Sequence, residues 1–274
     1  MSEEKIRLDI LVVQKQLAPS REKAREYILT GKIYVNGKEE KKCGLKVKAE
    51  AVVEMRGEAI PYVSRGGLKL HKALKDFSID LKEAVCLDIG ASTGGFTECM
   101  LVNGAQKVFA IDVGRDQLAE KLRQNPKVVS MEGTNIRNIT SDDIGELSDF
   151  ASIDVSFISL DKVIPHVLPL LKDKGEVVAL IKPQFEAGRG KVSKKGVVKN
   201  SKVHEEIILN VINLLKEYNA TIIDLNYSGI KGPNGNIEYL INFTKDTTRI
   251  SDFNLSSVVN VVKVAHDKLN LEEI

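Results

Sequence analysis

The sequence of 274 residues has few of the residues that build disulfide scaffolds, zinc sites or membrane spans. Its three cysteines, Cys43, Cys86 and Cys99, lie far apart with no CxxC pair, and its four histidines show no zinc-ligand spacing. No stretch approaches the ~20 apolar residues that a bilayer span needs, and the first ten residues lack the basic-then-apolar layout of an export signal. We therefore expect a cytoplasmic protein with no metal site and no membrane association.

The composition is that of a folded chain long enough for two domains. Hydrophobic residues make up 43% and charged residues 28%, which suits a buried core and excludes disorder. The 40 basic and 38 acidic residues leave a net charge of +2, so attraction to an anionic partner must come from local clusters of charge. We expect one domain over 1–59, a linker over 60–63 and a larger domain over 64–274.

The first sixty residues show the pattern of a helix pair followed by a small hairpin. Apolar residues recur at helical spacing over 8–17, and Ser20 is a good N-cap for a second helix that ends at Gly31. A strand-like stretch over 33–35 leads into the dipeptide at 36–37, Asn-Gly, which is typical of a tight hairpin turn. The sequence thus predicts a small α+β domain at this end of the chain.

Basic residues are interleaved with fewer acidic ones through this region. The charge pattern alone fits an ordinary solvated surface as well as an RNA-binding one. The segments RLDILVV and SREKAREYILTGKIYVNGK resemble the alpha-L RNA-binding motif over about fifty residues. The resemblance implies that Ser20, Arg21 and Arg25 begin a helix facing RNA phosphates, with Lys32 and Lys38 on the hairpin beside them. Arg7 is a further candidate for this RNA-binding surface, and RNA is the partner that the motif implies.

From residue 84 onward, short β-rich runs alternate with helical stretches. The runs are VCLDI, KVFAID, KVVSM, FASIDV, EVVALI and TIIDLNYS. This alternation is the signature of a parallel sheet covered on both faces. A last strand over 236–244 and a tail helix from about Leu255 follow. We predict an α/β fold with a doubly wound, Rossmann-like sheet that is mostly parallel, with its last strand antiparallel at an edge.

The first of these strands runs into a glycine-rich turn, DIGASTGGF, and the second ends in Asp112. Such a turn lets a ligand approach the backbone, and an acid at the next strand's tip can bind ribose hydroxyls. We therefore predict a nucleoside-cofactor site made of the following residues: Asp88, Gly90, Ala91, Ser92, Gly94, Gly95, Phe96, Asp112, Val113 and Asp154.

Two cofactor classes suit this site, dinucleotides and S-adenosylmethionine. Ser92 occupies a place where the dinucleotide fingerprint requires glycine, and an acid within the first strand, Asp88, is typical of methyltransferases. Methyl transfer is therefore favoured, with an incidental glycine turn as the weaker alternative. No cysteine follows a proline, which disfavours covalent cytosine-5 methylation, and the stretch over 154–157 lacks the prolines of an amino-methylating loop.

Four ionisable residues lie where the strand ends and their loops converge: Lys69, Asp154, Lys182 and Glu238. Opposite charges at adjacent buried strand ends indicate an active site rather than a solvated edge. With SRGGLKL, DIGASTGGFT, DVSFIS, IKPQFE and GPNGNIEY, they resemble the FtsJ-like methyltransferases, and within them the haemolysin-A (TlyA) group. The resemblance spans nearly the whole chain. It implies S-adenosylmethionine as cofactor, these four residues as the catalytic tetrad, and 2′-O-methylation of a ribose, usually cytidine, in ribosomal RNA.

Several points stay open at the level of the sequence. Lys182 would act either as a neutral base or as a charged stabiliser of the developing alkoxide. A basic, glycine-containing loop over 182–202, which includes Arg189 and Lys191, would be flexible and contact the RNA backbone, with Arg65 extending the same surface. The alternatives are a non-catalytic RNA-binding or assembly factor and a membrane-active haemolysin. The oligomeric state is not specified.

Overall fold

The computed structural model describes residues 5–56, 61–188 and 190–270. The chain divides into two compact units, with the division between Arg65 and Gly66. The predicted domain boundary at residue 59 lies outside the described residues. Among the helices that the structure describes, none is long and apolar enough to cross a bilayer.

The first unit contains a helix pair and short strands. In chain order these are β1 (Lys5–Arg7), α1 (Leu8–Gln14), α2 (Arg21–Leu29), β2 (Ile33–Val35), β3 (Lys38–Glu39), β4 (Lys46–Lys48) and β5 (Val53–Met55). Strand β2 pairs antiparallel with β3 and β5, and β1 pairs antiparallel with β4. The predicted helix pair and hairpin are therefore confirmed.

Local chemistry explains where these elements begin and turn. The Ser20 hydroxyl accepts a hydrogen bond of 3.2 Å from the Lys23 backbone N–H, which makes Ser20 the N-cap of α2. Asn36 and Gly37 both have positive φ, 50° and 82°, as the hairpin turn with the right twist requires. Fully buried side chains, including Leu8 and Ile28, form the core of the unit.

The second unit carries the large sheet. Its elements are α3 (Gly66–Asp76), β6 (Val85–Ile89), α4 (Gly95–Val102), β7 (Lys107–Asp112), α5 (Glu120–Arg123), β8 (Val128–Glu132), α6 (Ser141–Ile144), β9 (Ser148–Ile153), α7 (Ile164–Val167), β10 (Leu171–Ile181), α8 (Pro183–Glu186), α9 (Ser201–Glu217), β11 (Thr221–Tyr227), β12 (Tyr239–Thr244) and α10 (Ser257–Asn270). The order of the strands across the sheet is β11-β12-β10-β9-β6-β7-β8.

Helices cover both faces of this sheet. Successive residues of β6 point to opposite faces, so this one strand shows what packs on each. Val85, Leu87 and Ile89 join a core cluster with residues of α7, α9 and α10. On the alternate face, the Asp88 side chain accepts a hydrogen bond from Thr97 of α4. The doubly wound fold is confirmed. The order of strands reverses between β6 and β9, and ligands of such sheets bind at this switch point.

The last strand differs in position from the prediction. β12 runs antiparallel, as predicted, but it lies one place in from the edge, hydrogen-bonded to β10 on one side and β11 on the other. All its residues are buried, so both of its edges need a partner strand, whereas β11 exposes Asp224 and suits the edge. This insertion brings the start of β12 beside the carboxyl end of β10, where Tyr239 pairs with Ile181.

Candidate active site and RNA-binding surface

The four predicted catalytic residues come together at one edge of the sheet. Lys69 lies in α3, Asp154 and Lys182 directly follow β9 and β10, and Glu238 directly precedes β12. The Lys69 Nζ lies 2.5 Å from Glu238 Oε2, and the Lys182 Nζ lies 2.5 Å from Asp154 Oδ1. Two oppositely charged pairs therefore form between residues that are far apart in the chain.

These charges are removed from water to a degree that is unusual for structural ion pairs. The Glu238 side chain is 0% exposed, and those of Lys69 and Lys182 are 7% and 8% exposed. Burial by itself would raise the pKa of Asp154, but the ammonium groups of Lys69 and Lys182 outweigh burial and hold that pKa below its usual value. Asp154 is thus an anion at neutral pH. The influence of Lys69 on Asp154 also shows that the two pairs form one electrostatic cluster.

Two polar side chains that sequence reasoning missed complete the cluster. The Lys182 Nζ donates a hydrogen bond of 3.2 Å to the Ser156 hydroxyl, and the Gln184 side-chain amide donates one of 3.3 Å to Glu238 Oε1. The backbone of Gly232 packs against the same carboxylate, since a Cβ at this position would lie 2.0 Å from Glu238 Oε1. Ser156 and Gln184 stand within the DVSFIS and IKPQFE segments, but nothing in their polarity marks them as partners of the tetrad.

A cavity of about 540 Å³ opens beside this cluster at the switch point of the sheet. Half of the predicted cofactor-binding residues line it: Gly90, Ser92, Asp112, Val113 and Asp154. The others, Asp88, Ala91, Gly94, Gly95 and Phe96, are buried residues of the same segment and do not line the cavity. Lining residues that the sequence did not indicate include Ile89 of β6 and Ile111 of β7. The others come from the loops after β7, β8 and β9: Gly114, Gln117, Thr134, Asn135, Ile136, Val155, Ser156, Phe157, Ile158 and Val163.

The glycine turn is shaped by close approach of two strands. Gly90 has a φ of 88°, and a Cβ there would lie 2.5 Å from the Asp154 carbonyl oxygen, so only glycine fits. The Asp112 carboxylate accepts the backbone N–H groups of Ser92, at 2.8 Å, and Gly114, at 2.7 Å. Each of its oxygens keeps a second lone pair that can accept a hydroxyl. Asp112 therefore holds the turn in place and can still bind a ribose.

Asp88 has a different environment from the other predicted cofactor residues. Its side chain is fully buried and accepts hydrogen bonds from the Thr97 hydroxyl, at 2.6 Å, and the Ser152 hydroxyl, at 3.2 Å. Burial raises the pKa of Asp88 to about 7, although both hydroxyls favour the charged form. The residue braces β6 against α4 and β9 from below the turn rather than facing the cavity.

In the first unit, three of the predicted RNA-binding arginines gather on one carboxylate that sequence reasoning missed. Asp9 is fully buried and accepts two hydrogen bonds from Arg7 and one from Arg21, each of 3.0 Å, while Arg25 Nε lies 3.9 Å away. The bonds from Arg7 outweigh burial and hold the pKa of Asp9 below its usual value. The three guanidinium groups are therefore fixed side by side with a net positive charge.

The remaining predicted RNA-binding residues have varied surroundings. Ser20 is occupied as the cap of α2. Lys32 and Arg65 are both half-buried in the first unit. Lys191 of the second unit pairs with Glu206 at 2.5 Å, a surface contact that contributes little to stability. Arg189 lies outside the described residues.

A doubly wound sheet with a cavity of this kind at its switch point is the architecture of a nucleotide- or cofactor-binding domain. Residues 62–245 match the model of the FtsJ-like methyltransferases, and residues 6–53 match that of the S4 domain. The chain therefore belongs to the FtsJ-like methyltransferase family and carries an N-terminal S4 domain, which confirms the resemblance that the motifs indicated.

Relatives share this two-part organisation over nearly their full length. The chain is 43% identical to a candidate rRNA methyltransferase of Bacillus subtilis, YqxC, over 98% of this chain and 97% of that one. It is 39% identical to the 16S/23S rRNA (cytidine-2′-O)-methyltransferase TlyA of Mycobacterium tuberculosis, over 89% and 91% of the two chains. The solved structure of a candidate hemolysin from Streptococcus thermophilus superimposes with a TM-score of 0.79 at 41% identity, covering 99% of both chains.

Proposed function

We propose that this protein transfers a methyl group from S-adenosylmethionine to the 2′-hydroxyl of a ribose, that of a cytidine, in ribosomal RNA. The observation that carries the proposal is the buried Lys-Asp-Lys-Glu cluster at the wall of the cavity. The M. tuberculosis relative is named for that reaction on 16S and 23S rRNA. Such a substrate also favours the cytoplasm as the location of the protein.

The cavity suits S-adenosylmethionine on several counts. Its volume of about 540 Å³ lies in the range of cofactor sites, and the glycine turn lines it through Gly90 and Ser92. Asp112 offers acceptor lone pairs for a ribose, and the anionic Asp154 lines the cavity beside the tetrad, where it would favour a cation. When bound, this cofactor supplies an electrophilic methyl group on a positively charged sulfur.

The tetrad provides a positive charge close to the position of the ribose hydroxyl. That hydroxyl is a weak nucleophile until its proton leaves, so a cation near the oxygen accelerates the reaction. The Lys182 Nζ forms an ion pair with Asp154 and donates a hydrogen bond to Ser156, and a lysine ammonium has three donors, so it can donate to a further acceptor. This third N–H would donate to the 2′-oxygen. The anionic Asp154 lies 2.5 Å from the Lys182 Nζ and holds it in place, and we assign Lys182 as the electrostatic stabiliser. The proton of the hydroxyl then passes to water late, as the oxygen gains its methyl group.

Lys69 and Glu238 would hold the reacting groups in position and would not take part in proton transfer. Glu238 accepts from Lys69 on one oxygen and from Gln184 on the other, so its carboxylate is held from two sides. Asp154 and Ser156 likewise hold the Lys182 ammonium. Fixed groups of this kind need no reorganisation during the reaction, which is the main source of electrostatic catalysis.

We assign RNA binding to the S4 domain, with residues 1–59 as its extent, 60–63 as the linker and 64–274 as the methyltransferase domain. The arginine cluster on Asp9 supports this assignment, since planar guanidinium groups recognise phosphates well. Phosphate contacts set the position of an RNA strand and carry no sequence information. The modified nucleotide would therefore be selected largely by the shape of the rRNA or of the ribosomal subunit.

The test uses full-length wild type and Lys182→Ala, with radiolabelled S-adenosylmethionine and purified ribosomal RNA or subunits. We expect the variant to lose methyl transfer while it binds S-adenosylhomocysteine with unchanged affinity in calorimetry. Lys127→Ala is the control, because Lys127 is exposed and directly precedes β8, at the end of that strand away from the active site. Transfer retained by Lys182→Ala would refute the catalytic assignment. Failure of the wild type to bind the cofactor would favour a non-catalytic RNA-binding factor instead.

A further inference from the structure

A second cavity, of about 770 Å³, lies in the methyltransferase domain and shares no lining residue with the cofactor cavity. The residues that matter for its chemistry are Lys194, Lys195, Lys199, Lys231, Asn234 and His266. Among the described residues that line it there is no aspartate or glutamate. A concave surface that gathers several ammonium groups and excludes carboxylates is suited to an anion.

The lysines of this cavity are presented by an ordered turn. The Gly196 backbone N–H donates to the Ser193 carbonyl at 2.9 Å, and the Val197 N–H donates to the Ser193 hydroxyl at 3.1 Å. Lys194 and Lys195 therefore occupy the two central positions of a tight turn, and Gly196 has the positive φ, 75°, that closes it. Within the predicted basic loop, this turn places the two lysines next to each other.

A buried asparagine connects the two walls of the cavity. Asn236 is 2% exposed, and its side-chain amide donates to the Gly196 carbonyl at 3.0 Å and the Pro233 carbonyl at 3.1 Å. His266 of α10 forms another wall, and its Nε2 lies 3.2 Å from Nδ1 of the buried His204. The cavity is thus held by contacts with buried side chains, and it does not depend on surface side chains alone.

Three lysines of this cavity lie close together without a carboxylate partner among the described residues. Lys194, Lys195 and Lys199 have no carboxylate within 4.0 Å in the described part of the chain, whereas the neighbouring Lys191 is paired with Glu206. Like charges that converge without a counterion repel one another in the free protein. A bound phosphate would relieve this repulsion and release counterions.

The loop that forms one wall also touches the tetrad. Gly232 follows Lys231 and packs directly on the Glu238 carboxylate, while Asn234 and Gly235 of the same loop line the cavity. One short loop therefore has the tetrad on one side and the basic cavity on the other. A strand that presents a ribose to Lys182 would carry its next phosphates toward these lysines.

We infer that this cavity binds the sugar-phosphate backbone of the RNA strand beside the nucleotide that is methylated. The inference rests on the proposed function, because that function supplies RNA as the anion. The cavity would position the strand without reading its sequence, since contacts to phosphate carry no base information.

The experiment compares full-length wild type with Lys194→Ala/Lys195→Ala. The control, Lys127→Ala/Lys174→Ala, removes the same charge from exposed lysines away from the cavity. Binding of labelled polycytidylic acid is measured without cofactor over a range of salt concentrations. We expect the cavity variant to bind about tenfold more weakly, with the slope of log affinity against log salt reduced by about 1.4, or about 0.7 for each of the two lysines, and the control to match the wild type. Thermal unfolding and S-adenosylhomocysteine binding should be unchanged in both variants.

The outcomes separate this inference from the proposed function. Equal affinities and salt slopes for the cavity variant and the control would overturn the inference, whatever the methylation activity. Saturable binding of cytidine 5′-monophosphate that the cavity variant loses, with polycytidylic acid binding unchanged, would overturn it in favour of a free nucleotide. Absence of methyl transfer by a wild type that binds RNA through these lysines would contradict the proposed function and leave the cavity's role in RNA binding established.

Discussion

The close approach of two strands at Gly90 makes a quantitative prediction. Gly90→Ala must adopt a left-handed φ, which costs about 1 kcal/mol for a residue with a Cβ. Its Cβ would in addition lie 2.5 Å from the Asp154 carbonyl oxygen, an overlap that only a shift of the β6 or β9 end can relieve. Overpacking of this kind costs about 1–3 kcal/mol, so we expect a total loss of unfolding free energy of about 2–4 kcal/mol.

A matched control isolates the overlap. Gly145 ends α6 with a similar φ of 72°, and a Cβ there meets nothing within 4 Å, so Gly145→Ala should cost only about 1 kcal/mol. Unfolding of both variants in urea, with calorimetric titration of S-adenosylhomocysteine, measures the difference. Because Gly90 and Asp154 line the same cavity, Gly90→Ala should also weaken cofactor binding by tenfold or more, about 1.4 kcal/mol. Equal losses for the two variants would show that the approach to Asp154 is not a constraint.

Two further predictions concern buried carboxylates. Asp9→Asn should weaken RNA binding several-fold, because the arginines around Asp9 lose the anion that orients them. Binding of S-adenosylhomocysteine should stay unchanged, and equal RNA affinities for variant and wild type would contradict the positioning role. Asp88 has a pKa raised to about 7, so the wild type should lose stability as the pH rises from about 4 to 7, where the folded state holds the proton that the unfolded chain releases. Asp88→Asn should flatten that part of the stability profile in pH-dependent unfolding, and an unaltered profile would argue against the shift.

The parts of the fold that the sequence predicted are those set by local pattern. β6 and β7 are continuous apolar runs, as strands buried on both faces must be, and the structure places them at or within a residue of the predicted bounds. The tetrad could be anticipated because parallel strands end at a common edge, so charges that follow β9 and β10 must be neighbours. Strands β1 and β4 were missed, since each has three residues, two of them charged.

Long-range contacts account for what the sequence could not predict. Asp9 is the only charged residue of the apolar helix α1, and nothing in that local pattern shows that arginines from two other elements cover it. Asp88 and Asp112 both end strands beside the glycine turn, but only the folded sheet shows that Asp112 faces the cavity while Asp88 lies beneath. The inner position of β12 depends on pairing with β10 and β11, which no local pattern encodes.

The inner position of β12 has a consequence for biogenesis. While the chain emerges during translation, β10 and β11 are synthesised before the strand that must lie between them, so both keep open hydrogen-bonding edges. Arrival of β12 closes these edges and delivers Glu238 to Lys69 in the same event. A nascent chain therefore completes its sheet and its catalytic centre in the same step.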